Sequence, residues 1–196
     1  MTEIVPLIAR LLPDDERIHE CVRLHIAALP QTLSSQRGDR ALDGIYRRLI
    51  RQNHAVYAAS VDGHIAGGLV MIKHGVPSRP LALILYRPWS WLRAVRRLGL
   101  RDLFGQFVDL ISVRLVTRRL STHDYILAMY VSEDVRRMGI ARLLVDAARA
   151  DAAKRGVALA VDTTLTNSIA QAFYSGQGFQ AFKRTARSVV FTSALE

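Results

Sequence analysis

A chain of 196 residues, half of them hydrophobic and 22% charged, can bury the core of one compact domain and is too apolar to stay disordered. A single cysteine, Cys21, excludes an intrachain disulfide framework and a cysteine-built zinc or iron-sulfur centre, and no metal site is expected. The net charge of +10 suits anionic partners: nucleic acid, phosphorylated small molecules or the inner face of a membrane.

EIVPLIARLL reads as a first strand. Glu3 and Arg10 interrupt its apolar run and no basic segment precedes it, so it is not a signal peptide, and a reducing cytoplasm is expected. DDERIHECVRLHIAAL follows with apolar positions at helical spacing, which makes Cys21 a buried thiol, and Pro30 closes this helix. QTLSSQRGD reads as a polar loop and ALDGIYRRLIRQ as a second helix. AVYAASVDGHIAGGLVMIK gives two strands joined at Asp62-Gly63, a dipeptide suited to the left-handed conformations of a tight hairpin.

Residues 74–123 differ from the rest and read as an insertion before the next strand. They hold both tryptophans and three of the six prolines, and from Lys73 to Arg119 ten cations face only Asp102 and Asp109. PLALILYRPWSWL is too short to span a bilayer. Beyond it, Leu100, Leu103, Phe104, Phe107, Leu110 and Ile111 recur at helical spacing among arginines. That pattern suits a helical flap with peripheral contact to an anionic membrane or a lipid-linked substrate, with Trp89 and Trp91 at headgroup level. The same leucines also suit packing on the sheet or a subunit contact. Interleaved aromatics and glycines are missing, which argues against nucleic acid.

YILAMYV, residues 125–131, is a strand. A helix from about Gly139 to Arg155 sets Ile140, Leu143, Leu144, Ala147, Ala148 and Ala152 on one face, with Lys154 and Arg155 at its carboxyl end and Gly156 as the stop. ALAVDTT is another strand, NSIAQAFYSG a short helix, and FQAFKRT with ARSVVFTS a final pair of strands.

The junction VSEDVRRMGIA carries the chemistry. A helix amino terminus presents unpaired N–H groups and a partial positive charge, so a loop wrapped around it forms an anion site. Met138, Gly139, Ile140 and Ala141 would supply amides, Gly139 would let the main chain approach a phosphate closely, and Arg136 and Arg137 add charge. No Gly-Lys-Ser or Gly-Lys-Thr follows and GxGxxG is absent, so neither common nucleotide loop is present.

Arg136-Arg137-Met138-Gly139-Ile140-Ala141 resembles the acyl-CoA loop of the GNAT acetyltransferase superfamily: Arg or Gln, two residues, Gly, one residue, then Gly or Ala. NSIAQAFYSGQGF resembles a second element of that family through Asn167, Ala170, Phe173, Tyr174, Gly178 and Phe179. The resemblance implies an α+β fold, with a mixed, mostly antiparallel central sheet flanked by helices and the basic helical insertion before the cofactor strand. It spans 1–196 as one domain.

The resemblance further implies acetyl-CoA or another acyl-CoA as co-substrate and a thioester lying in a gap between the YILAMYV and ALAVDTT strands. Backbone near Tyr130 and Val131 would hold the pantetheine arm, and Tyr174 would protonate the departing thiolate. Asn167 would cap its helix, contact the cofactor, or do both. The acceptor it implies is a primary amine of a small molecule or sugar; a peptide amino terminus is the alternative enzyme substrate. A non-catalytic RNA- or ribosome-binding module is the alternative of another class. Many family members carry a glutamate base on the cofactor strand, and YILAMYV has no acid. His123, brought near His74 by antiparallel pairing, is the candidate in its place, and Glu133 reads as a surface charge.

Overall fold

The computed structural model describes residues 6–74 and 122–194 and, between them, 96, 104, 105, 108, 109, 111–113, 115–117 and 120. In chain order the elements are β1 (Leu7–Arg10), α1 (Arg17–Ala28), α2 (Leu33–Gln36), α3 (Asp39–Arg51), β2 (Ala55–Val61), β3 (His64–Ile72), β4 (His123–Val131), a 3-10 turn (Glu133–Val135), α4 (Ile140–Ala153), β5 (Ala158–Thr164), α5 (Ser168–Gly176), β6 (Gln180–Arg184) and β7 (Ser188–Thr192). The strands form one seven-stranded sheet, ordered β1-β2-β3-β4-β5-β7-β6, in which only β4 and β5 run parallel. This is the α+β architecture expected of the sequence.

Side-chain alternation along β2 explains how one sheet serves two cores. Ala55, Tyr57, Ala59 and Val61 face α4 together with Leu69, Ile126, Ile140, Leu144 and Val161. Val56 and Ala58 face the opposite way, against Ile18, Cys21 and Val22 of α1 and Leu42, Tyr46 and Leu49 of α3. The hairpin forms where Asp62-Gly63 places it, with both residues left-handed, at φ 50° and 82°. Cys21 is buried as expected, and burial pushes its thiol up to about 12.

Three expectations change. The segment read as a loop contains α2, because Thr32 adopts extended backbone and its hydroxyl accepts the Ser35 N–H, a side-chain cap that the run of polar residues concealed. On α4, Leu143 is exposed and Val145 takes its place in the core, so the buried stripe is Ile140, Leu144, Val145, Ala148 and Ala152. At the end of α4, Arg155 lies beyond the last turn and pairs with the fully buried Asp124 of β4 through both terminal guanidinium nitrogens.

The tryptophan-bearing part of the insertion, with Leu100, Leu103, Phe107 and Leu110, lies outside the described residues. Residues 104, 105, 108, 109, 111–113 and 115–117 are helical. Val113 and Leu120 are buried against Ala160 of β5 and Val190 of β7, flanked by Val116 and Tyr125. Phe104, Val108, Ile111 and Leu115 are exposed. Among the described residues no helix is long and apolar enough to cross a membrane.

Candidate active site

β4 and β5 pair only from His123–Ile126 against Ala158–Val161. Both strands continue, to Val131 and Thr164, without further pairing between them. The parting begins where the register of β4 against β3 shifts: Val70 pairs with Ala128 and Met71 with Ile126, which leaves Leu127 as a bulge. Leu127 is exposed, as are Met138, Leu143, Leu165 and Ile169, all on segments that border the gap.

Past Val131 the chain enters the loop singled out in the sequence. Arg137 and Gly139 are both left-handed, at φ 68° and 79°, and Gly139 caps α4. A Cβ built on Gly139 meets nothing within 4 Å, so it is the backbone conformation, not crowding by the protein, that favours glycine there. Leu143 donates to the Gly139 carbonyl at 3.1 Å, so the N–H groups of Ile140, Ala141 and Arg142 lie in the first turn, ahead of the helical ladder. Arg136 and Arg137 are exposed, and Arg136 reaches Glu133 at 3.0 Å. Ile140 is buried, so its backbone alone is available.

The two residues expected to present backbone to the gap differ. Ser132 N–H donates to the Ala66 carbonyl at 2.8 Å, and antiparallel alternation then turns the peptide groups of Tyr130 toward β3 and those of Met129 and Val131 toward β5. The Tyr130 ring packs on the other face, over Gly68, where any Cβ would collide with it. Its hydroxyl accepts from Tyr46 at 3.2 Å, and Tyr46 lies 2.8 Å from His25 Nδ1. Ser34 Oγ, 3.3 Å from His25 Nε2, extends this polar chain to a half-buried residue. Burial lowers the pKa of His25 to about 4.

Tyr174 lies on α5 and is buried among Phe173, Phe179 and Phe191, with ring centroids 5.3, 5.6 and 6.2 Å away. Burial first, and the charge of Asp162 second, hold its phenol above the ordinary value, so it keeps its proton at neutral pH. Asn167 caps α5 by accepting the Ala170 N–H at 3.1 Å. His123 lies in the paired part of β4, and burial and the neighbouring His74 lower its pKa.

β4 has no acid in its parted half, but β5 has Asp162, one residue beyond the last β4–β5 pair and absent from the candidates that the sequence offers. Tyr125 of β4 donates a hydrogen bond to its carboxylate. Burial, and then the charge of Asp109 from the insertion, raise the carboxyl above the usual carboxylate range against the lowering effect of Tyr125. The available signal was a lone acid in the otherwise uncharged strand ALAVDTT.

The family model for the acetyltransferase (GNAT) family matches residues 18–179. No curated protein matches the chain at the sequence level. Among solved structures, PH1933 from Pyrococcus horikoshii OT3 superposes with a TM-score of 0.65 at 12% identity, covering 98% of this chain and 99% of its own. The ribosomal-protein-S18-alanine N-acetyltransferase from Escherichia coli gives 0.60 at 12%, covering 97% and 94%. The paia N-acetyltransferase from Thermoplasma acidophilum, in complex with coenzyme A, gives 0.57 at 11%, covering 96% and 98%. At such identities the likeness is one of fold.

Proposed function

The chain belongs to the acetyltransferase (GNAT) family, and from that premise we propose that it moves an acetyl or other acyl group from acyl-CoA to a primary amine of a small molecule or sugar by direct attack, in the cytoplasm. The observation that carries this reading is the parting of β4 from β5 directly before the amino terminus of α4. The parted strands give a slot for an extended pantetheine arm, and the helix terminus gives a seat for its pyrophosphate.

In this reading Met138, Gly139, Ile140 and Ala141 bind the pyrophosphate through their N–H groups, while Arg136 and Arg137 supply charge. Peptide groups of Val131 and Met129 hold the arm and polarise the thioester carbonyl. The amine lone pair attacks the carbonyl carbon and forms the C–N bond. As the C–S bond breaks, Tyr174 gives its phenolic proton to the sulfur, and its burial among aromatic rings keeps that proton in place until the thiolate appears. Asn167 fixes the start of α5 and so the position of Tyr174.

Thiol release from acetyl-CoA, screened against amino sugars, polyamines, amino acids and short peptides, tests the reading. The peptides cover the alternative acceptor, an amino terminus such as the alanine named for the Escherichia coli neighbour. Gly139→Asp sets bulk and negative charge at the helix terminus and should weaken acetyl-CoA binding at least tenfold, about 1.4 kcal/mol. Unchanged affinity in a variant that melts like the parent would remove the loop from the site.

A further inference from the structure

We propose that Asp162 is the general base of the reaction and that it takes its proton from a cationic primary ammonium entering beneath the insertion. The proposal rests on the acyltransferase reading above.

Val161 and Leu159 point to the α4 side with Tyr174, whereas Ala160 points to the insertion side. Alternation therefore sends Asp162 to the face opposite Tyr174, at the point where the strands separate. A thioester held between β4 and β5 would have the phenol of Tyr174 on one side and the carboxylate of Asp162 on the other. Addition of the amine gives a tetrahedral adduct in which nitrogen and sulfur are separate substituents, so the base that serves the nitrogen and the acid that serves the sulfur are two different groups.

The groups facing Asp162 are the phenol of Tyr125 from β4, the hydroxyl of Ser188 from β7, the carboxylate of Asp109 from the insertion and, across the gap, the phenol of Tyr174. No described ion pair gives Asp162 a cation. Asp109 is itself fixed by Thr185 Oγ1 at 2.9 Å and Ser188 Oγ at 2.7 Å, so the insertion carries a fixed negative charge to the mouth of the gap. A site with two carboxylates and neutral hydroxyls favours an ammonium over a neutral or acidic acceptor. The raised pKa of Asp162 also brings its basicity nearer to neutrality.

The protons balance. One N–H bond of the ammonium breaks, its proton goes to a carboxylate oxygen of Asp162, and the freed lone pair attacks. Collapse of the adduct breaks the C–S bond, and Tyr174 protonates the sulfur. The second nitrogen proton restores the Tyr174 phenol, and Asp162 releases its proton to water when the amide leaves.

The test uses the full-length chain, acetyl-CoA and whichever amine of the screen gives the fastest thiol release. Asp162→Asn keeps a hydrogen-bonding side chain for Tyr125 and should lower kcat at pH 7 by roughly 10²-fold or more with acetyl-CoA affinity unchanged. Its residual rate should rise steadily with pH as free amine accumulates, whereas wild type levels off above the pKa of its base. Asp109→Asn removes the charge that raises Asp162 and should move the acid limb of the kcat profile to lower pH. If Asp162→Asn retains turnover within a few-fold of wild type, or Asp109→Asn leaves the acid limb in place, the proposal falls. A wild-type chain that neither binds acetyl-CoA nor releases thiol with any amine overturns the acyltransferase reading instead.

Discussion

The two ends of the β4–β5 pair are made of the same strands and serve opposite purposes. At the paired end Asp124 is fully buried, its carboxylate held by Arg155 and by the His74 N–H at 2.7 Å. The carbonyl of Thr122 and the hydroxyl of Ser193 take up the N–H groups of Ala158 and Leu159. At the parted end Asp162 has the charge of a second carboxylate, Asp109, acting on it and no ion pair among the described residues, Leu127 bulges out, and β4 and β5 no longer pair. A fully buried acid compensated by a cation holds a fold together; a half-buried acid without one costs stability and keeps a proton affinity that chemistry can use.

Substitutions at the two ends should therefore behave oppositely. Arg155→Met leaves Asp124 buried and unpaired and should cost about 3–5 kcal/mol in urea unfolding. Asp162→Asn should leave stability at neutral pH equal or higher. Its folded pKa is raised, so ionising it above the unfolded value disfavours the fold, and the amide removes that penalty. A large stability loss from Asp162→Asn would erase the contrast.

His25 extends the comparison to the polar chain beneath Tyr130. It titrates near 4 in the fold and near 6.5 when unfolded, so between those values the unfolded chain holds a proton that the folded one lacks. Its contribution is complete above pH 6.5 and falls by about 3 kcal/mol as the pH drops to 4. Urea titrations at pH 7 and 4.5 should show a smaller acid loss for His25→Gln than for wild type; equal losses would mean that His25 is not held neutral beside Tyr46 and Ser34.

At the parted end, Tyr174→Phe keeps the aromatic packing and removes only the hydroxyl. It should lower kcat by roughly 10²-fold with acetyl-CoA affinity intact. Near-normal turnover would make Tyr174 a core residue alone.

These contrasts were unevenly legible. The Asp62-Gly63 turn, the strand over 125–131 and the glycine before α4 were readable, because each is fixed by local backbone preference or by period. α2 was hidden because its cap is one threonine in a polar run. Leu143 was misplaced because a stripe drawn at helical spacing does not say where its edge lies, and at that edge Val145 packs while Leu143 is exposed. Asp162 could not be found by looking along one strand. Its role depends on where β5 leaves β4, a property of register that neither strand encodes alone.

The insertion is where the smallest effect is expected. We carry forward, as a proposal, the peripheral contact with an anionic membrane or lipid-linked substrate expected of 74–123. Phe104, Val108, Ile111 and Leu115 follow one another at steps of four, three and four, and all are exposed. Val113 and Leu120 face the sheet, so the segment has an inward apolar side that packs and an outward one for which burial in the fold gives no reason. Leu115 and Val116 share a groove with Phe182 of β6, which extends the outward surface onto the sheet edge. With nine arginines in the segment, each worth about 1 kcal/mol close to an anionic surface, this face suits binding to a charged bilayer and not to a neutral one. Co-sedimentation with vesicles rich in anionic lipid should recover the chain at low salt and lose it at high salt, while neutral vesicles recover little. Ile111→Glu with Leu115→Glu should weaken the anionic binding and leave thiol release from a water-soluble amine unchanged. If anionic vesicles recover nothing at low salt, the outward face has no membrane role, and the insertion serves the gap alone, by holding Asp109 against Ser188.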